Sequence, residues 1–205
     1  MSKNSRRIDL AEAEQLVNSI LFWAAQSGCN MKHLEVAGSY RRGCDSVGDI
    51  DLVIDSRSLG PFIAGVIPGM AIPGQDLVIR KRDGMITGFY FNGTRIEFYV
   101  ADEPTEFGAK LLFASGSADF NIRQRRIAIS RGMKLNDKGV FIPTVKSGIV
   151  VLEQKTCSFD GSSYPNLGLY PEGKNPNAWV KIAGRTEIEC FKALAMEYVS
   201  PEHRE

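Results

Sequence analysis

The chain has 205 residues, of which 43% are hydrophobic and 24% charged, and 25 Lys+Arg against 24 Asp+Glu leave a net charge of +1. That is one large domain or two small ones with an ordinary globular mixture, which excludes disorder of the whole chain. The longest apolar run, residues 19–25, is far short of the ~20 residues of a membrane span, and Ser5-Arg6-Arg7 leads into Asp9, Glu12 and Glu14 rather than into an apolar leader.

In chain order, residues 9–28 read as a helix. Leu10, Ala13, Leu16, Val17, Ile20, Leu21 and Ala24 fall at three- and four-residue steps, acids open it, and Gly28 stops it. Residues 34–37 and 50–54 read as short strands, and 58–66 as a short helix closed by Pro68-Gly69. Three strands are expected at 76–82, 85–91 and 95–100, joined by Asp83-Gly84 and Asn92-Gly93, two dipeptides that favour tight hairpins. The first half is thus α/β with a mixed sheet. Residues 110–113 lead into Gly116-Ser117, and a helix is predicted over 118–131, its apolar residues in two rows (Phe120/Ile127 and Ile122/Ile129), with Gly132 as its stop. Residues 146–184 are rich in Gly, Pro, Ser and Asn and read as a long irregular or hairpin-containing insertion. A last short helix is expected over 187–198. Cys29, Cys44, Cys157 and Cys190 are scattered with no C-x-x-C, and only His33 and His203 accompany them. That argues against structural zinc and for free thiols in a reduced, intracellular protein.

Charge is uneven. Residues 121–134 carry Arg123, Arg125, Arg126, Arg131 and Lys134 with no acid, which reads either as an anion-binding surface or as a solvated helix face. Asp49 and Asp51 stand two apart on a predicted strand, so their side chains share a face. Ile50, Leu52, Val53 and Ile54 promise partial burial, where two carboxylates repel strongly unless a cation relieves them. Hard oxygen ligands favour Mg²⁺ or Mn²⁺. Exposed acidic pairs on edge strands are also common, and the context decides. Gly38-Ser39 directly follows a strand, where backbone N–H groups and a hydroxyl can hold phosphate oxygens. Arg42 suits bidentate phosphate binding, and Gly48 leaves room beside Asp49. Glu97 is the acid inside the 95–100 strand and the candidate third carboxylate for two-metal phosphoryl transfer.

G-S-Y-R-R-G (38–43) followed by G-D-I-D-L-V-I (48–54) resembles the nucleotidyltransferase signature of family X DNA polymerases, the polymerase beta group. L-L-F-A-S-G-S-A-D-F-N (111–121), Arg125, A-I-S-R-G (128–132) and L-N-D-K-G (135–139) resemble the start of that family's thumb, and residues 197–204 its C-terminal motif. The resemblance implies an α+β fold: a nucleotidyltransferase-type palm with a mixed sheet over 1–108, then a small α/β thumb over 109–205 carrying the 146–184 insertion. It implies that Asp49, Asp51 and Glu97 hold two Mg²⁺ ions, with Glu97 at the primer end, where it could also accept the 3′-hydroxyl proton. Ser39, Arg42 and Gly48 would meet the nucleotide phosphates, Phe113 the sugar with Gly116 close by, and Asn121 the base edge. Arg123, Arg125 and Arg126 would lie towards DNA. The 146–184 insertion has no counterpart in the family pattern, and it is by their charge that its Lys155, Lys174 and Lys181 are candidate phosphate contacts. The implied activity is template-directed DNA polymerisation, filling short gaps in repair. The implied partners are gapped or primed DNA and deoxynucleoside triphosphates, with the protein a monomer, away from membranes, in cytoplasm or nucleus; a DNA ligase is a candidate partner that the sequence leaves open.

The chain departs from the family pattern in three places. The third carboxylate is usually Asp, and the longer Glu97 suggests a preference for Mn²⁺. The aromatic pair at the sugar site is Phe113-Ala114 here, which weakens the expectation of deoxyribose selection. About three dozen residues precede Gly38, so a minimal palm-plus-thumb form is expected, without lyase domain or fingers and similar in layout to small viral members. Two other readings share part of the pattern. One is a template-independent, RNA- or small-molecule-directed nucleotidyltransferase. The other is a non-catalytic DNA-end binder.

Overall fold

A computed structural model describes residues 6–71, 73–74, 76–82, 85–143, 153–156, 163–166 and 179–205. The chain opens with β1 (Ile8–Asp9) and α1 (Leu10–Gln26). Asp9 caps α1 by accepting the Glu12 amide at 2.8 Å, which satisfies one of the helix's free N–H groups. After Gly28 come β2 (Leu34–Val36), the single turn α2 (Gly38–Arg41), β3 (Ser46–Val47) and β4 (Asp49–Asp55). Asp55 ends β4 and caps α3 (Ser56–Met70), accepting the Ser58 amide at 2.7 Å. Helix α3 is longer than its sequence suggests and contains Pro61 and Pro68. Strands β5 (Leu77–Arg82), β6 (Met85–Phe91) and β7 (Thr94–Ala101) complete the first half. The Asn92-Gly93 turn has φ of 48° and 80°, the paired positive values that a tight hairpin demands. The Asp83-Gly84 turn lies outside the described residues.

These strands form one five-stranded mixed sheet in the order β2-β4-β7-β6-β5. Only the central β4–β7 pair is parallel, with Asp49 opposite Arg95 and Asp51 opposite Glu97. The D-I-D-L-V-I stretch is buried along nearly its whole length, as a central parallel strand should be. Helices α1 and α3 pack on this sheet through Leu16, Ile20, Phe62 and Val66 against Ile50, Leu52, Phe89 and Ile96.

The second half begins with α4 (Phe107–Ser115) and α5 (Ala118–Ser130), followed by β8 (Lys134–Asn136) and β9 (Gly139–Pro143). Then come β10 (Glu153–Thr156), β11 (Ser163–Asn166), β12 (Trp179–Ala183) and α6 (Glu187–Ala193). Helix α4 is a full element that the sequence reading did not delimit. Helix α5 buries a single stripe, Phe120, Gln124 and Ala128. The two-row pattern is corrected accordingly, since Ile122 and Ile129 are 43% and 70% exposed. Helix α6 is shorter than expected because Ala195, at φ 46°, leaves the helical region. Trp179–Ala183, assigned from sequence to the irregular stretch, is a regular strand paired with β9 in the sheet β12-β9-β8. Within the same stretch β10 and β11 pair antiparallel. A second core of Leu112, Phe120, Val140, Phe191 and Leu194 fills this half. A third cluster, Ala37, Val53, Ala101, Phe107 and Leu111, joins it to the sheet. Among the described residues no helix is long and apolar enough to cross a membrane, and Cys29, Cys44 and Cys190 are free thiols.

Candidate active site

The sheet register brings the three sequence-separated acids together. Asp49 and Asp51 share a face of β4, and β7 lies parallel beside it with Glu97 opposite Asp51. One carboxylate oxygen from each of the three lies within 4.8 Å of the others. Asp51 is 9% exposed. Burial first, then the Asp49 and Glu97 charges, push its pKa up to about 7. Three oxygen donors crowded into a half-buried patch of mutual repulsion suit a hard divalent cation, whose charge would reverse that repulsion. Asp49, Asp51 and Glu97 are therefore the residues that could hold one.

Cationic side chains already share this charge. Arg95, opposite Asp49 in the register, pairs with the Asp49 carboxylate and lies 3.4 Å from Glu97. Arg80 reaches Glu97 from β5 at 2.5 Å. Neither arginine was singled out from the sequence. Tyr99, two residues beyond Glu97, is raised well above its usual range by burial and then by the three acids, so it stays a neutral phenol. Its ring meets Phe113 edge-on at 6.2 Å between centroids.

The turn before the acids is built against Asp51. The Ala37 amide donates to the Asp51 carbonyl at 2.7 Å. Gly38 has φ +65°, and a Cβ there would overlap the Asp51 carboxylate. Gly38→Ala should therefore cost about 1–2 kcal/mol for the left-handed backbone alone and displace Asp51 besides. A urea titration checks this, and an unchanged midpoint would contradict it. Ser39 follows at the start of α2, half-buried. At Gly48 a Cβ would meet the Arg7 guanidinium at 3.4 Å.

Arg42 does not stand free beside the turn. Its guanidinium donates to the Ser115 and Gly116 carbonyls at 2.7 and 3.0 Å, tying the turn to the end of α4. Its neighbour Arg41, passed over in the sequence, donates to Ser115 Oγ at 2.7 Å and forks onto Glu187 at 2.9 and 2.8 Å. Glu187 also receives Arg204 at 2.7 Å. Arg204 is 0% exposed and is enclosed by the rings of Phe120, Phe191 and Tyr198 at 5.5–5.6 Å. The signal for this junction lay in the sequence, in the C-terminal motif and the first arginine of G-S-Y-R-R-G, but nothing local tied the two together.

On the second half, the Asn121 amide donates to the Phe113 carbonyl at 2.8 Å, and Gly116 sits so close that a Cβ would be 2.7 Å from Asn121 Oδ1. Arg125 covers the Phe113 ring at 5.4 Å, and Arg123 the Phe120 ring at 5.9 Å. Arg126 is exposed on the same helix. Lys181 is engaged with Glu103, Thr105 and Glu106 at 3.3–3.5 Å, which sets it apart from an open phosphate contact. Lys174 lies outside the described residues, and of Lys155 only the backbone is described.

A mixed sheet that presents three carboxylates beside a Gly-Ser turn, with a small helical and stranded layer latched to that turn, is a nucleotidyltransferase palm followed by a thumb. The DNA polymerase beta palm model matches residues 6–61, and the DNA polymerase beta thumb model residues 110–205. The chain belongs to the polymerase beta group, family X. It is 26% identical to DNA polymerase lambda of Rattus norvegicus over 97% of this chain and 32% of the relative. It is 30% identical to DNA polymerase/3'-5' exonuclease PolX of Bacillus subtilis (strain 168) over 65% of this chain and 22% of the relative. The chain thus spans about a third or less of the length of these relatives.

Proposed function

We propose that this protein is a template-directed DNA polymerase that adds deoxynucleotides to a primer 3′-hydroxyl and fills short gaps during repair. The observation that carries this reading is the convergence of Asp49, Asp51 and Glu97 beside the Gly38-Ser39 turn. The family match and the polymerase names of the similar proteins agree with it. In this reading residues 1–108 act as the palm domain and 109–205 as the thumb domain.

Asp49 and Asp51 would hold two divalent cations, with Glu97 a ligand at the primer side. Cations bound there supply Lewis-acid charge to the phosphate oxygens and to the attacking hydroxyl. Glu97 would also take the 3′-hydroxyl proton as the oxygen attacks the α-phosphate in line and pyrophosphate leaves. Ser39 and the backbone N–H groups of its turn would hold the β- and γ-phosphates, with Gly48 leaving them space. Arg42 would join them only by giving up its Ser115 and Gly116 carbonyls. Phe113, wedged between Tyr99 and Arg125, would support the sugar. Asn121 would exchange the Phe113 carbonyl for the minor-groove edge of the base.

Arg123, Arg125 and Arg126 would face the DNA backbone. Each phosphate neutralised steepens the fall of log K with log salt by ~0.9. Arg126→Ala should reduce that slope by about 1 across all sequences. An unchanged slope in a filter-binding titration would remove Arg126 from the interface.

The test of the reading is extension of a primer across a one-nucleotide gap, with each of the four nucleotides and with Mg²⁺ and Mn²⁺ in turn. Addition of one complementary nucleotide supports it. Equal addition to an unpaired single strand would instead mark a template-independent transferase, and DNA binding with no addition under either cation a non-catalytic end binder.

A further inference from the structure

Among the neighbours of the acidic patch that the polymerase reading leaves without a task is Arg80. Arg80 lies on β5, two strands away from Glu97 in the sheet order. The register explains how it reaches. Arg80 is opposite Gly88, Gly88 is opposite Glu97, and Glu97 is opposite Asp51. The four positions form one row across the sheet, and the position between Arg80 and Glu97 carries no side chain. The guanidinium passes over Gly88 and meets Glu97 Oε1 at 2.5 Å. It also lies over the Tyr90 ring at 5.6 Å. Tyr90, two residues along β6 from Gly88, stands on the same face. The β5–β6 register shifts between Arg80 and Lys81, so the chain departs from regular pairing at the residue that makes this contact.

We propose that Arg80 is a positioning residue that fixes the long Glu97 arm so that its carboxylate can serve as a cation ligand; this rests on the reading of Asp49, Asp51 and Glu97 as a divalent-cation site. A glutamate has one more side-chain torsion than an aspartate, so its carboxylate is less well placed by backbone alone. Mg²⁺-type sites tolerate misplacement poorly. Among the described residues the closest approaches of Arg80 and Arg95 to Glu97 are both to Oε1, at 2.5 and 3.4 Å. One oxygen is thus the handle, and Oε2 is the oxygen assigned to the cation. Outer partners of this kind orient ligands in metal sites generally, and their loss weakens metal binding by about 10–100-fold.

The experiment titrates Mn²⁺ alone into the full chain and reads free Mn²⁺ by electron paramagnetic resonance. Arg80→Gln should weaken binding by about 10–100-fold, and Arg80→Lys, which keeps the charge but not the fork, by less. In the Glu97→Asp background the shorter arm should fall short of Arg80, so Arg80→Gln should then have no further effect, which a double-mutant cycle reads as coupling. In gap filling, Arg80→Gln should lower kcat and leave KM for the nucleotide within about twofold, since the phosphates are held elsewhere. Mn²⁺ affinity that is unchanged or tighter in Arg80→Gln overturns the proposal; the tighter case would make Arg80 a competitor of the cation. An undiminished Arg80→Gln effect in the Glu97→Asp background overturns it as well. The underlying reading fails separately, and this proposal with it, if Asp51→Asn and Glu97→Gln leave Mn²⁺ binding as in wild type.

Discussion

Asp51→Asn is expected to abolish nucleotide incorporation while leaving the fold as stable as wild type or slightly more so. Two different quantities move apart because one residue serves them oppositely. Asp51 is buried between Asp49 and Glu97, and burial and those two charges raise its pKa to about 7. A neutral amide removes that repulsion, so unfolding in urea should not shift to lower denaturant. Incorporation should fall by at least about 10³-fold, the equivalent of roughly 4 kcal/mol at the transition state. Asp49→Asn should lose activity similarly, but with a small loss of stability, because Asp49 is the carboxylate that Arg95 pairs with. Activity within about tenfold of wild type in Asp51→Asn would sink the assignment. A large loss of stability would mean that the acid holds the sheet together instead.

Glu187→Ala is expected to be the most destabilising single change at the junction of the two halves. It would strip Arg204, 0% exposed, of its counter-ion and release the fork from Arg41. Breaking a buried pair from one side costs about 3–5 kcal/mol, since a charge remains buried alone. The same group gives a pH signature. Burial works to raise the Glu187 pKa, but hydrogen bonds from Arg41 and then Arg204 hold it below its ordinary 4.5. A depressed carboxylate contributes stability that is fully present above that ordinary value and is lost as pH falls through the depressed one. Wild type should therefore lose stability on acidification below about 4.5 more steeply than Glu187→Gln, which starts lower and is flatter there. Urea unfolding at neutral pH and through the acid range measures both effects. A cost under about 1 kcal/mol at neutral pH, the range of an exposed pair, would show that the network is not a latch.

Most of the candidate site was legible because it depends on short-range rules. The D-x-D spacing fixes a shared strand face, Gly38 announces a close approach, and Asn92-Gly93 writes its own hairpin. Glu97 was reached as the acid inside its strand. Its place opposite Asp51 comes from β7 inserting between β4 and β6, a parallel pairing with no local signature. Arg80 and Arg95 were invisible for the same reason, since their partners are set by register across the sheet. Arg42 shows the converse. Its residue type fits phosphate, yet the docking of α4 gives it carbonyl partners that no spacing rule supplies. Trp179–Ala183 was lost in a stretch rich in turn-formers, because its strand character comes from pairing with β9 rather than from its own flanks. Helix α5 misled through composition. Ile122 and Ile129 look like core residues, but the helix buries only the narrow Phe120–Gln124–Ala128 stripe and leaves the isoleucines out among the arginines.

The most direct test of the central claim, that Asp49, Asp51 and Glu97 form a divalent-cation site, is anomalous diffraction from crystals of the protein soaked in Mn²⁺. The account predicts a manganese peak within ~2.0–2.3 Å, the span of hard-cation bonds to oxygen, of one oxygen from each of the three carboxylates, with Arg95 drawn away from Asp49. Manganese bound elsewhere while Arg95 stays on Asp49, or no peak at this patch at a concentration that supports incorporation, would contradict it.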